Sequence, residues 1–247
     1  MENKTIQQIN RTYWNKNADQ WFGTTALPEY GVQFVTENEL HLFGDVSNKV
    51  MLEIGCGSGH SLKYHADRNA KELWGLDASQ KQLDNASKYL TDNNYTPKLI
   101  CAAMEDECNI PTNYFDIVYS IYAIGWTTDL DKVFKRIASY LKKDGIFIFS
   151  WKHPIHGCVV VEDGKIIVQK SYFDEEWYTQ VVHDTELMLS NRKISTYINA
   201  LASAGFIIEH MTEQTDEPTL KMRGIIDDKS RKAQQIPLSF VFKVRKV

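Results

Sequence analysis

The chain has 247 residues, 43% of them hydrophobic and 24% charged, enough for one large domain with a substantial core. Its 28 Lys and Arg against 32 Asp and Glu leave a net charge of −4, which excludes the basic footprint of a protein whose main partner is a phosphate backbone. No run approaches the roughly 20 apolar residues of a membrane span, MENKTIQQINRT is too polar for a secretory signal, and Cys56, Cys101, Cys108 and Cys158 form no CxxC pair, so a cytoplasmic protein without disulfides or membrane contact is expected.

Ile6, Ile9 and Tyr13 recur at helical spacing beside Trp14, Ala18, Trp21 and Phe22, which predicts an amphipathic helix over 4–22. A second helix is predicted over 32–43. From Lys49 short apolar runs alternate with helical patterns. Strands are predicted at 49–54, 72–77, 98–103, 115–121 and 145–151, with helices at 58–69, 79–91 and 129–142, the second of these opened by a Ser79/Gln82 capping box. This alternation specifies an α/β, doubly wound, mostly parallel sheet covered on both faces. After Trp151 the rhythm breaks, and 155–190 is predicted as an inserted hairpin, VVVEDGKIIV turning at Asp163-Gly164, followed by the aromatic run SYFDEEWY. A helix at 194–203 and strands at 205–211 and 238–244 close the domain, with 214–236 predicted as a polar surface loop. No repeat or linker divides the chain. One domain is expected, built from a helical lid (1–45), a binding core (46–151), an insertion (152–192) and a closing segment (193–247).

The strongest chemical signal is Glu53-Ile54-Gly55-Cys56-Gly57-Ser58-Gly59, between a predicted strand and a predicted helix. Alternating glycines there let a ligand approach the backbone closely. Asp77 ends the next strand, where an acidic side chain accepts hydrogen bonds from ribose hydroxyls, so an adenosine-containing cofactor is expected. The dinucleotide fingerprint G-x-G-x-x-G requires glycine or alanine where this chain has His60, and no GK[ST] follows to make a phosphate loop.

The E-x-G-x-G-x-G loop resembles motif I of the class I S-adenosylmethionine-dependent methyltransferases. AAMEDECNIP and YFDIVYSIYAIGW (102–126) look like the adenine-contacting segment and fourth strand of the small-molecule branch related to quinone-biosynthesis enzymes, and 129–150 is similar to its next helix and strand. The resemblance implies S-adenosyl-L-methionine as cofactor. It sets Gly55, Cys56, Gly57 and Gly59 beneath the methionine part and Glu53 at the strand end or, through water, on the amino group. It implies Asp77 on the ribose hydroxyls, Ala78 and Leu83 beside adenine, and Ser120 and Ile121 near the amino-acid moiety. Tyr13 or Trp21 would close over the cofactor. Many relatives carry Asp where this chain has Ala103, so adenine recognition would rest on the Met104 backbone and Glu105.

Several residues carry two readings. Trp14 and Trp21 suit a lid or an ordinary helix core; Glu105 suits adenine contact or a solvated charge; Cys56 suits packing better than nucleophilic attack, since no base is placed beside it. The cluster His153, His156, Cys158 lacks the fourth ligand and paired spacing of structural zinc, so no metal is expected. His153 follows the fifth strand, at the carboxyl edge where ligands of such sheets bind, and is a candidate for acceptor contact or proton transfer against a capping role. Tyr122 and Trp126 leave the fourth strand end, and Tyr172, Phe173 and Trp177 lie in the insertion, either as an aromatic cover for the acceptor or as a satellite core.

The expected function is methyl transfer to a small-molecule acceptor, by positioning rather than by an obligatory catalytic residue. A non-catalytic cofactor-binding protein and a nucleotide-dependent oxidoreductase on the same architecture remain as alternatives.

Overall fold

The computed structural model describes residues 2–247. Two helices lead the chain, α1 (Asn3–Asn17) and α2 (Glu37–Leu40). An alternating core follows: β1 (Val50–Ile54), α3 (His60–Ala66), β2 (Glu72–Asp77), α4 (Gln80–Asp92), β3 (Lys98–Cys101), β4 (Phe115–Ser120), α5 (Leu130–Tyr140) and β5 (Leu141–Lys152). The remainder comprises α6 (Pro154–Cys158), β6 (Val159–Glu162), β7 (Lys165–Val168), β8 (Trp177–Val182), β9 (Thr185–Ser190), α7 (Ile194–Ser203), β10 (Phe206–Thr212), α8 (Glu217–Lys221), α9 (Asp228–Ala233) and β11 (Ser239–Lys246).

Seven strands form one sheet in the order β10-β11-β5-β4-β1-β2-β3. The first five strands in sequence run parallel, and β11 pairs antiparallel with both β5 and β10. Alternation along each strand divides the core in two. Leu52, Phe147, Phe149, Phe240 and Phe242 meet α5 and α7 on one face, while Met51, Ile148 and Val241 meet Leu62, Leu83 and Phe43 on the other. All five residues of β1 are buried. Because β1 lies between β2 and β4, the chain departs in opposite directions from its two edges. A crevice therefore opens above the carboxyl ends of these strands, where doubly wound sheets bind ligands.

Five local expectations are corrected. The first helix stops at Asn17, because the Asn17 Nδ2 donates to the Tyr13 carbonyl and competes with helical bonding; a turn then carries the chain to Trp21. The predicted helix at 32–43 shrinks to α2. Phe34 bridges to Thr215 and the Val35 amide donates to the Gln214 carbonyl, a Thr36/Glu39 capping box starts α2, and the buried Glu37 carboxylate ends it by accepting the Leu42 and Phe43 amides. The Ser79/Gln82 box is half made: Ser79 Oγ accepts the Gln82 amide, but the Gln82 Oε1 has no partner. The insertion holds α6 and two hairpins, β6–β7 turning at Asp163-Gly164 and β8–β9 at His183-Asp184, with both residues of each turn at positive φ. Finally, 214–236 contains α8 and α9, capped by Asp216 and Asp227.

Tyr13 of α1 shares the core with Leu187 and Leu189 of the insertion, and one polar side chain of α1 adds a backbone-like joint. Asn10 Nδ2 donates to the Met188 carbonyl at 3.0 Å and Asn10 Oδ1 accepts the Met188 amide at 2.8 Å, so a helix residue completes the edge of β9 as a strand would. No helix among the described residues is long and apolar enough to cross a membrane.

One buried residue ties this fold to pH. His65 is fully buried against Phe43 and Tyr119, neither ring nitrogen has a partner, and burial pulls its pKa down to about 3. The unfolded chain takes up this proton near pH 6.5 whereas the folded chain resists it, so stability is present above that pH and lost as pH falls toward 3. Between pH 7.5 and pH 5 His65 alone is expected to remove about 2 kcal/mol. Urea denaturation at the two pH values checks this, with a smaller pH difference in His65→Phe.

Candidate active site

A cavity occupies the crevice. Its floor is the loop after β1, where Gly55, Gly57 and Gly59 have φ of +74°, +50° and +80°. The Gly55 and Cys56 amides both donate to the Leu76 carbonyl, at 2.7 and 3.0 Å, which pins the loop to the end of β2. A Cβ on Gly55 would lie 2.4 Å from the Ala123 Cβ, so the loop passes under the end of β4 only as glycine.

Asp77 closes the same loop from the other side. Its Oδ2 accepts the Gly57 amide at 2.9 Å and its Oδ1 the Ser79 amide at 2.8 Å. Burial pushes the Asp77 carboxyl upward, and the Ser79 and Gly57 amides oppose that shift. Each oxygen thus has an amide donor, and the carboxylate lines the cavity. Glu53 lies deeper and is 2% exposed; burial raises its carboxyl well above the ordinary range, and its Oε2 has no partner. Gln82 Oε1 is likewise unpartnered at the cavity wall. Two buried polar atoms without partners in one cavity mark a place where a polar ligand gains bonds.

The opposite wall is aromatic. Trp14 from α1 stands at 89° to Trp126, with centroids 5.3 Å apart, and at 58° to Trp21, 6.0 Å away. Tyr122 follows β4 at φ +54°, its amide donating to Ser150 Oγ. His60 stacks on Tyr89 at 4.0 Å, its Nδ1 lies 3.0 Å from Ser58 Oγ, and burial lowers its pKa. Ser58 Oγ also accepts the Gly23 amide, which fastens the chain after α1 over the loop.

Of the residues singled out by sequence, Trp21, Glu53, Gly55, Cys56, Gly57, Asp77, Ala78, Met104, Ile121, Tyr122 and Trp126 line this cavity. The others lie outside its wall for identifiable reasons. Tyr13 sits in the core and accepts the Trp21 indole N–H. Gly59 begins α3 against Leu90, Leu83 is buried in the second core, and Ser120 Oγ donates to the Ile54 carbonyl across the sheet. Glu105 turns away from the adenine side: its Oε1 accepts from Thr127 Oγ1, the Thr128 amide and Thr128 Oγ1.

His153 also lies outside. Its Nδ1 accepts the Ile155 amide as the cap of α6, which leaves the proton on Nε2, 2.6 Å from Glu213. Both nitrogens are occupied, so the capping reading fits better than proton transfer. Tyr172 accepts the Ile194 amide and Trp177 lies under Arg192, which makes both part of the packing beneath the insertion. Cys56 is buried and its thiol is pushed well up, against a nucleophilic role. No group of His, Cys, Asp or Glu among the described residues could hold a metal ion. Trp14, His60, Gln82 and the turn Thr24–Ala26 complete the wall without having been singled out as ligand contacts. Only Trp14 carried a signal, its place on the predicted lid helix.

Comparison with known proteins agrees with this geometry. A methyltransferase domain family matches residues 52–149. A probable S-adenosylmethionine-dependent methyltransferase of Saccharomyces cerevisiae is 31% identical over 56% of this chain and 47% of its own length. A ubiquinone biosynthesis O-methyltransferase of Rickettsia bellii is 23% identical over 60% of each chain. The chain thus spans about half of the first relative and three fifths of the second. Among solved structures, a putative S-adenosylmethionine-dependent methyltransferase from Listeria monocytogenes superposes with a TM-score of 0.70 at 25% identity, covering 85% of this chain and 97% of that one.

The Glu105 network generates a stability prediction. Glu105→Ala strips a buried turn of its acceptor and is expected to cost about 3 kcal/mol. Chemical denaturation measures the loss, and an unchanged midpoint would return Glu105 to the solvated reading.

Proposed function

We propose that this chain is a class I S-adenosylmethionine-dependent methyltransferase that transfers the cofactor's methyl group to a small-molecule acceptor entering against Trp14 of α1, Trp21 and the end of β4. The observation that carries the reading is Asp77, its carboxylate held across the glycine loop by two backbone amides with lone pairs left for ribose hydroxyls. The cavity fits the rest of the cofactor as well. The glycine floor has no side chain to block close approach, Ala78 and Met104 offer a narrow apolar slot for a flat base, and Glu53 and Gln82 present unpartnered oxygens at the methionine end. His60 stands where a dinucleotide loop would need its third glycine, which disfavours the oxidoreductase reading.

When bound, S-adenosylmethionine supplies an electrophilic sulfonium methyl. The protein's contribution is to hold the acceptor in line with it and to exclude water, since no base is aimed into the cavity from His153. Trp14 and Trp21 act as the lid, and α1 is fixed over Asp77 through Ser79 Oγ, which donates to Asn15 Oδ1 at 2.8 Å. This reading includes a cytoplasmic location and no nucleic-acid partner, supported by the acidic charge balance.

Two substitutions test it. Asp77→Ala is expected to weaken S-adenosylhomocysteine binding by a factor on the order of 10 to 100, the equivalent of about 1.5–3 kcal/mol, with the circular dichroism spectrum retained. Gly55→Ala forces Ala123 aside and is expected to abolish calorimetric binding. Tight binding of a nicotinamide dinucleotide to the wild-type chain, with neither sulfur ligand bound, overturns the assignment.

A further inference from the structure

Resting on that reading, the charge of the cavity wall narrows the acceptor. The wall contains no Lys or Arg. Its ionisable side chains are Glu53, Asp77, Cys56, Tyr122 and His60, so any formal charge it presents near neutral pH is acidic. Of the basic side chains nearby, Arg192 donates to the Gly125 and Thr127 carbonyls on either side of Trp126, Lys81 pairs with Asp19 in the turn after α1, and Arg11 of α1 lies near Cys101 and is not part of the wall. Against these carboxylates stand Trp14, Trp21, Trp126 and Tyr122, with Trp14 and Trp126 nearly perpendicular. Trp14 and Trp126 are in edge-to-face contact, and the ring faces that they, Trp21 and Tyr122 leave to the cavity attract a cation through their quadrupoles.

We propose that the acceptor is a nitrogen base, an amine or an aza-heterocycle, uncharged before transfer and cationic after it, with the ammonium held by Trp14, Trp126 and Tyr122. The nitrogen lone pair forms the new N–C bond as the methyl carbon–sulfur bond breaks, and the electron pair of that bond stays on sulfur. The positive charge passes from sulfur to nitrogen, so the cavity holds one unit of positive charge before and after the step. An N–H proton, where the acceptor has one, leaves afterwards to water.

An oxyanion acceptor reverses this balance. A carboxylate or phosphate would leave water for a wall of acids and rings in which its one compensating charge is the cofactor's sulfonium, and that charge is consumed by the transfer. A phenol would first have to lose its proton within the cavity. There His60 is already engaged with Ser58 and stacked on Tyr89, and the Asp77 carboxylate is held by the Gly57 and Ser79 amides.

The test uses the full chain saturated with S-adenosylhomocysteine, so that the probes meet the product-side cavity. Three probes of one shape are titrated by tryptophan fluorescence and calorimetry: choline, its uncharged isostere with tert-butyl in place of trimethylammonium, and the matching tert-butyl carboxylate. Choline is expected to bind at least tenfold tighter than the uncharged isostere, and the carboxylate not at all. Trp126→Leu should erase that preference and Trp126→Tyr should keep it, a pattern that loss of packing alone does not produce. In parallel, methyl transfer is measured with matched quinoline, naphthol and naphthoate acceptors, and only quinoline-type nitrogen acceptors should be methylated. Absent choline binding, equal binding of the uncharged probe, tighter binding of the carboxylate, or turnover of naphthol or naphthoate overturns the inference while leaving the methyltransferase reading in place. Failure of S-adenosylhomocysteine itself to bind, read in the first titration, overturns that reading instead.

Discussion

The carboxylate of Asp77 organises the site. By accepting the Gly57 amide from the loop after β1 and the Ser79 amide at the start of α4, it locks two successive crossover connections to each other. Without an acceptor there, the positive-φ loop would expose amides to a cavity that water leaves when a ligand enters. The same residue is thereby a structural keystone and the contact best suited to a ribose. Its partners set the loop, and the loop sets where a cofactor can lie. The raised pKa of the neighbouring Glu53 follows from this crowding, since burial comes first and the Asp77 charge adds to it.

Around that point the structure divides its labour by sheet edge. The β1–β2 side carries glycine, carboxylate and a short apolar slot, which suit a polar nucleoside. The β4 side carries Tyr122, Ala123 and Trp126 beside the indoles of Trp14 and Trp21, which suit a flatter and less polar group. The cavity therefore changes character across the width of about two strands. Methyl transfer needs such a junction, because the two reactants differ in chemistry while their reacting atoms must meet in line.

Much of this was legible in the residues. The alternation of apolar runs with helical patterns gave each strand of the sheet to within a few residues, because a parallel sheet buried on both faces writes itself as near-continuous hydrophobic runs. The glycine loop and Asp77 could be read because few other arrangements use alternating glycines between a strand and a helix. Legibility failed where long-range contacts override local pattern. The apolar residues of 32–43 do reach the core, but through a bridge to Thr215 and the carboxylate of Glu37, neither of which a helical spacing registers. The His183-Asp184 turn carries none of the glycine that marks a hairpin, and it divides the insertion at a place the sequence does not announce. His153 and Glu105 each carried two readings that pattern could not separate: each has a group suited to chemistry, and each spends it on a nearby backbone amide, His153 on the cap of α6 and Glu105 on the turn at Thr128.

The joint between Asn10 and Met188 has a consequence for how such a protein can diversify. Asn10 reads only the backbone of β9, so its grip does not depend on side-chain identity; Leu187 and Leu189 are core residues, and the side chains free to change are the exposed Thr179, Gln180 and Val181 of β8. The hairpin is constrained in register instead, because a slip by one residue turns a different face of β9 toward the helix and moves the amide–carbonyl pair that Asn10 grips. Variation on this side of the molecule is thus open at the exposed positions of β8 and closed in register. Substitution at the hairpin tip can change the surface beside Trp21, where His183 packs, while a slip of β9 would release α1.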